Sequence, residues 1–164
     1  MTHIIRPATI ADAAAICHIY NPYILDTVIS FETEPVTAEQ MRQRILDITA
    51  NLPWLVCVEG DEILGYAYAT KWRARAAYQH AVESSVYLSP LAAGKGLGSA
   101  LYRALIVELE KLPVHTVIGG IALPNPASVG LHEKMGYVKV AHFAQVGKKF
   151  DRWIDVGYWQ RVLR

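Results

Sequence analysis

The chain has 164 residues, 52% of them apolar and 19% charged, with 16 Lys and Arg against 15 Asp and Glu. That composition predicts one folded domain over 1–164 with a substantial core and excludes a disordered chain. The net charge of +1 excludes the basic stripe of a nucleic-acid binder. Without a signal peptide or an apolar run of about 18 residues, the expectation is a cytoplasmic protein with no membrane partner. Cys17 and Cys57 sit in apolar stretches with no metal-ligand spacing, so both read as small core residues.

In chain order, HIIRPA (3–8) reads as a first strand. Thr9 and Asp12 form a capping box that opens a helix over 10–20. NPYILDTVISFETEP (21–35) reads as a short helix or loop followed by a strand. Thr37 with Gln40 caps a second helix through TAEQMRQRILDITAN, whose Met41, Ile45 and Ile48 share one face. PWLVCVE and EILGYAYATKW are strands joined by a hairpin at Gly60, and HAVESSVYLS is the next strand. A glycine-rich loop then leads into a helix from about Gly98 to Lys111. VHTVIGGIAL is a strand, and NPASVGLHEKM is a short helix closed by Gly136. The alternating segments YVKVAHFAQV and FDRWIDVGYWQRVL end the chain as two strands. The sum is an α+β domain with a mixed, mostly antiparallel sheet.

The loop in VYLSPLAAGKGLGSAL stands between a strand and a helix, where free N–H groups and the helix dipole favour an anion. It is not a Walker-type P-loop, because Ser89 and Gly96 occupy places that require glycine and Ser or Thr. It is not the dinucleotide pattern either, which fails at Ser99. The alternative for the loop alone is a turn that merely lets a helix approach a sheet.

Its neighbours sharpen the reading. VYLSPLAAGKGLGSAL resembles the acetyl-CoA pyrophosphate loop, R/Q-x-x-G-x-G/A, of the GNAT superfamily of N-acetyltransferases. NPASVGLHEKMGY is similar to the superfamily's second signature. NPYILDTVISFETEP, PWLVCVEGDEILGYAYATKWRARAAY, VESSVYLSP and WIDVGYWQ extend the resemblance, across nearly the whole chain, to the phosphinothricin N-acetyltransferase branch. One position departs: Ala93 stands where the superfamily has Arg or Gln.

The resemblance implies the acetyltransferase fold, a central sheet flanked by helices, with acetyl-CoA as co-substrate and no metal. It implies a pyrophosphate cradle from the backbone of Gly94, Lys95, Gly96, Leu97, Gly98 and Ser99. A pantetheine strand at Val86, Tyr87 and Leu88 follows, with further coenzyme contacts at Asn125 and Ser128. Backbone N–H near Leu88 is the natural oxyanion donor. Glu83 is by residue type more readily a surface carboxylate, and it is the resemblance that makes it the general base. His132 stands where the branch has a histidine and is either a structural residue or the acid that protonates the departing thiolate.

Arg73 and Arg75 in KWRARAAY alternate, so an extended segment would show both on one face. They are either solvated strand-end charges or, as the branch implies, contacts to an anionic acceptor. Phe31 and Tyr78 match pocket positions of the branch. Lys149 and Trp153 belong near the site or at a contact between copies. The expected reaction is acetyl transfer to the α-amino group of a small glutamate-like amino acid such as phosphinothricin or methionine sulfoximine. Another amine acceptor (a polyamine, an aminoglycoside or a protein N-terminus) and a non-catalytic acyl-CoA sensor remain alternatives. The branch also implies a homodimer.

Overall fold

The computed structural model describes residues 2–164; Met1, the first residue of the expected 1–164 domain, lies outside them. The chain forms two compact units, each assembled from separated stretches. One takes residues up to Asn21, Val36–Thr70 and Ser84–Pro113; the other takes Pro22–Pro35, Lys71–Glu83 and Val114–Arg164.

In the first unit, β1 (Ile4–Pro7) lies antiparallel to β2 (Trp54–Glu59), which lies antiparallel to β3 (Glu62–Lys71). The Ser84–Leu88 part of β4 (Ala81–Leu88) follows β3 in the strand order. Trp54, Leu55, Val56 and Cys57 are all buried, so β2 is covered on both faces, and α2 (Ala38–Thr49) and α3 (Leu97–Glu110) both touch it. The cap of α2 is the expected one: Gln40 N–H donates to Thr37 Oγ1 at 3.1 Å, and Thr37 N–H to Gln40 Oε1 at 2.9 Å. Met41 and Ile45 are the buried face of α2, and Leu97, Leu101, Leu105 and Leu109 that of α3. Asp12 accepts from Thr9 N–H at 2.8 Å and from both Arg6 terminal nitrogens at 2.9 Å. The Arg6 guanidinium therefore holds the Asp12 carboxyl below the usual range.

The second unit has the order β4-β5-β7-β6. Ala81–Glu83 of β4 pair in parallel with β5 (Thr116–Leu123). β5 is antiparallel to β7 (Arg152–Val162), and β7 to the edge strand β6 (Val138–Lys149). The parallel β4–β5 pair beside the antiparallel pairs β1–β2, β2–β3, β5–β7 and β6–β7 agrees with the mixed, mostly antiparallel sheet expected from the sequence. The helix α4 (Pro126–Lys134) packs on β5 and is followed by Gly136 with φ 86°. Trp159, Val117, Ile121 and Tyr137 are buried here.

Two expectations are corrected. The first helix is a 3-10 turn, Ile10–Asp12, continued by α1 (Ala13–Asp26), so it takes in the Asn21–Asp26 stretch and contains Pro22. A helix-interior proline costs about 3 kcal/mol. Burial of Ile16, Ile19, Tyr20 and Ile24 offsets it, since each fully buried large side chain contributes about 1.5–3 kcal/mol. No strand forms in 27–35. Thr27 Oγ1 donates to Tyr23 C=O and accepts from Ile29 N–H, and Ser30 Oγ accepts from Glu32 N–H. Side chains thus satisfy backbone that a strand ladder would otherwise take. Among the described residues no helix is long and apolar enough to cross a membrane.

Candidate active site

The glycine loop has a definite architecture. Ser89 N–H is fixed to Leu64 C=O at 2.9 Å, and Ser89 Oγ accepts from Leu91 N–H at 3.2 Å, starting a 3-10 turn over Pro90–Ala92. Gly94 and Gly96 then adopt φ of 75° and 70°, the left-handed region that disfavours a side chain. The first bond of α3 runs from Ala100 N–H to Gly96 C=O. Among the described residues no protein acceptor takes the N–H of Gly94, Gly96, Leu97, Gly98 or Ser99. Five amides at one helix start form an anion-binding concavity.

Lys95 differs from its neighbours. Its N–H already bonds Ala92 C=O at 3.3 Å, and its ammonium lies 3.3 Å from a Glu59 carboxylate oxygen. Ala93, where a longer residue is usual in the superfamily, is exposed and donates its N–H to Pro90 C=O. Backbone, rather than side-chain charge, therefore dominates this cradle.

Just before the loop, β4 is wedged in place by a glycine that sequence reasoning passed over. A Cβ on Gly65 would stand 2.6 Å from Leu88 Cδ2 and 3.1 Å from Tyr87 C=O. The signal was there, since a glycine inside a strand pattern marks close backbone approach. The Tyr87 ring meets Tyr20 edge-on at 4.9 Å and Tyr66 at 5.6 Å. Val86, Tyr87 and Leu88 are partly buried.

In the second unit, Glu83 is the last β4 residue in register with β5, opposite Ile118. Its carboxylate has no hydrogen-bond donor among the described residues. Burial pushes its pKa up, and the nearby Arg73 charge opposes that only in part. A carboxylate displaced toward neutral pH, with its lone pairs uncommitted, is suited to take a proton. Its space is made by Gly120: a Cβ there would stand 3.0 Å from Tyr158 Cε1 and 3.4 Å from Glu83 Oε2.

His132 is 3% exposed. Its Nδ1 lies 2.7 Å from Ser128 C=O, so that nitrogen carries the proton. Its Nε2 lies 2.6 Å from where a Gly119 Cβ would be. Burial lowers its pKa, with the bond to Ser128 opposing, so the ring is neutral at physiological pH. A proton for a departing thiolate would have to leave the Ser128 bond or charge a buried ring. The double glycine of TVIGGIAL thus seats the two titratable side chains, one per glycine. Asn125 Oδ1 caps α4 by accepting from Ser128 N–H at 3.2 Å, leaving its amide NH₂ as the end able to donate to a ligand. Ser128 Oγ lies 3.4 Å from His132 Nδ1.

The expected acceptor residues are arranged differently from the extended-strand reading. Trp72–Arg75 is irregular and leads into a 3-10 turn, Ala76–Tyr78, so alternation does not place Arg73 and Arg75 on one face. Instead the Arg73 guanidinium stacks on Trp72, 4.5 Å from the ring centroid. Trp72 in turn meets Tyr158 edge-on at 5.5 Å, which leads from Arg73 to the wall beside Glu83. Arg75 and Tyr78 are exposed. Phe31 is 44% exposed, and one side of its ring fills the space above Gly147. Lys149 is buried, donates to Ser30 C=O at 2.6 Å, and has its pKa lowered by burial. Trp153 is exposed, with the Lys148 ammonium 5.2 Å over its ring.

The sequence matches the acetyltransferase (GNAT) domain family over residues 5–157. It is 43% identical over 157 residues to the phosphinothricin N-acetyltransferase of Streptomyces viridochromogenes, covering 96% of this chain and 86% of that one. It is 36% identical over 165 residues to the L-methionine sulfoximine/L-methionine sulfone acetyltransferase of Salmonella typhimurium, covering 97% and 94%. A GNAT superfamily phosphinothricin acetyltransferase from Sinorhizobium meliloti, solved with acetyl-CoA, superposes with a TM-score of 0.94 at 36% identity, covering 99% of this chain and 89% of that one. With a free-amide cradle at the start of α3 and a family match over nearly its full length, this chain belongs to the GNAT family of acetyltransferases.

Proposed function

We propose that the protein transfers acetyl from acetyl-CoA to the α-amino group of a small glutamate-like amino acid, phosphinothricin and methionine sulfoximine being its expected acceptors. The observation that carries this reading is Glu83, a partly buried carboxylate with no protein donor and a raised pKa, beside Arg73. Relatives named for these two acceptors at 43% and 36% identity support the choice of substrate.

Each step asks one thing of this chain. The amides of Gly94, Gly96, Leu97, Gly98 and Ser99 hold the pyrophosphate, with Asn125 and Ser128 adding contacts to the coenzyme and Val86–Leu88 pairing with its pantetheine arm. Glu83 takes a proton from the acceptor ammonium, freeing the lone pair that attacks the thioester carbonyl carbon. Backbone N–H near Leu88 meets the oxyanion, and the C–S bond breaks. The thiolate then takes up the second proton, which the attacking nitrogen sheds as it becomes the amide; a thiol with a pKa of about 8.5 is a fair leaving group, so His132 serves chiefly to hold α4 on β5. Arg73, Arg75 and Tyr78 receive the acceptor's anionic groups, and Phe31 walls its side chain. A basic, aromatic acceptor side suits a zwitterion with a second anion better than a polyamine, whose charge it repels.

Incubating the protein with acetyl-CoA and a panel of amines, with products identified by mass spectrometry, tests this. The expected products are N-acetyl phosphinothricin and N-acetyl methionine sulfoximine, with spermidine, an aminoglycoside and a peptide N-terminus unmodified. Acetylation of the peptide alone would overturn the acceptor class. Coenzyme binding with no product from any amine would favour a sensor. The reading extends to a cytoplasmic setting and to a homodimer, the dimer supported by the exposed apolar residues Val138, Val140, Phe143, Val146 and Trp153. Sedimentation at a single monomer mass across the micromolar range would remove the dimer.

A further inference from the structure

Two contacts from the β6 end of the β6–β7 hairpin converge on the 27–35 segment. Lys149, buried to 6% exposure, donates to the Ser30 carbonyl at 2.6 Å. Two residues earlier, Gly147 leaves room for the Phe31 ring: a Cβ there would stand 2.6 Å from Phe31 Cζ and closer still to Cε2. Neither contact is replaceable in kind. Any side chain at Gly147 must evict the ring, and without Lys149 the buried Ser30 carbonyl loses a charged donor. The hairpin that presents them is tightly built. It resumes its register at Gly147 opposite Ile154 after a bulge, runs through Lys149 opposite Arg152, and turns at Phe150 and Asp151 with φ of 51° and 60°. Ser30 is itself buried and its Oγ accepts from Glu32 N–H at 3.2 Å, so a fixed Ser30 carbonyl fixes the residue that follows it.

We infer that Gly147 and Lys149 are positioning residues that set acceptor specificity by holding the 27–35 segment, and with it Phe31, in one place on the hairpin. The inference rests on the reading of Phe31 as a wall of the acceptor pocket. Gly147 defines where one side of the ring lies, and the Lys149–Ser30 bond defines the height of the backbone that carries it. Neither residue touches the reacting atoms.

Steady-state kinetics of Lys149→Met, Phe31→Ala and their double variant test this, with folding checked by circular dichroism. Lys149→Met keeps the stem and removes the donor. Losing a hydrogen bond to a charged group, it should raise the acceptor KM about tenfold, with kcat and the acetyl-CoA KM within twofold. In the Phe31→Ala background it should add almost nothing, since the positioned ring is already gone. If Phe31→Ala raises the acceptor KM while Lys149→Met leaves it unchanged, or if the two effects simply add, the positioning role is overturned. If Phe31→Ala itself leaves the acceptor KM unchanged, the pocket reading fails and the inference falls with it. Should Lys149→Met not fold, Gly147→Ala is read by the same criteria.

Discussion

Gly119 and Gly120 are adjacent in β5, yet adding one methyl group to each should break different properties. At Gly119 the new Cβ would meet His132 Nε2 at 2.6 Å and Cδ2 at 2.7 Å. Both atoms belong to a rigid ring buried to 3% and bonded to Ser128 C=O, so the ring cannot step aside without losing that bond. Overpacking of this kind costs about 1–3 kcal/mol, and losing the bond adds about 1 kcal/mol. Gly119→Ala should therefore destabilise the fold by about 2–4 kcal/mol, the sum of those ranges, with kcat/KM of the folded fraction nearly unchanged. At Gly120 the contacts are looser, 3.0 Å to Tyr158 Cε1 and 3.4 Å to Glu83 Oε2. A shift of a few tenths of an ångström relieves them, so stability should fall by only about 1 kcal/mol. The group that shifts is the proposed base or its wall, and misplacement by about 1 Å costs roughly 100-fold; Gly120→Ala should lose about tenfold or more in kcat. Urea unfolding and thiol-release kinetics on the two variants measure both effects. The reasoning is refuted if Gly120→Ala is as active as the parent, or if Gly119→Ala is the less active of the pair while unfolding at the same urea concentration.

His132→Asn should lower stability by about 1–3 kcal/mol through the buried Ser128 carbonyl and the space beside Gly119, while kcat falls less than tenfold. A folded variant slower by about 100-fold or more would restore an acid role. Lys95→Met should change the acetyl-CoA Kd, measured by calorimetry, by less than about threefold. Its ammonium is engaged by Glu59 at 3.3 Å, and a surface pair is worth about 0–1 kcal/mol. Gly96→Ala should weaken that Kd about tenfold, because a non-glycine residue at φ 70° costs about 1–2 kcal/mol just where the free amides begin.

The fold was legible where periodicity and caps agreed. Thr37 with Gln40, Met41 and Ile45, the hairpin at Gly60 and the stop at Gly136 are all local signals, and each element lies within a few residues of its expected bounds. The 21–35 stretch was not legible. Pro22 signals a break locally, whereas burial of Ile16 and Ile24 carries α1 through it, and the Thr27 and Ser30 side chains replace the strand expected beyond it. For the site, the glycine spacing and the lone acid in VESSVYL singled out what the structure holds as a loop of free amides and a partly buried carboxylate. What supports them was hidden because it depends on non-local approach: Gly65 against Leu88, Gly119 against His132, Gly120 against Glu83, Gly147 against Phe31. In KWRARAAY, alternation suggested a shared face for the arginines, but the chain leaves the strand at Trp72 and Arg73 stacks on that ring instead.

Glu83→Gln isolates the proposed base from the space it fills. Glutamine is isosteric, so the space beside Gly120 and Tyr158 stays filled, and only the proton acceptor is removed. Loss of a general base costs about 100- to 10,000-fold, or about 3–5 kcal/mol of barrier. The sign of the stability effect is opposite. A carboxyl whose folded pKa is raised by burial binds its proton more tightly folded than unfolded, so its ionisation destabilises the fold as pH rises from the unfolded pKa through the folded one. Above that window Glu83→Gln should unfold at an equal or higher urea concentration than the parent. The parent rate should rise with pH as Glu83 ionises, on an acid limb above the ordinary carboxylate range. The account predicts a folded, equally or more stable variant with kcat/KM for phosphinothricin at least about 100-fold down and that acid limb gone; undiminished turnover with the limb intact would contradict it.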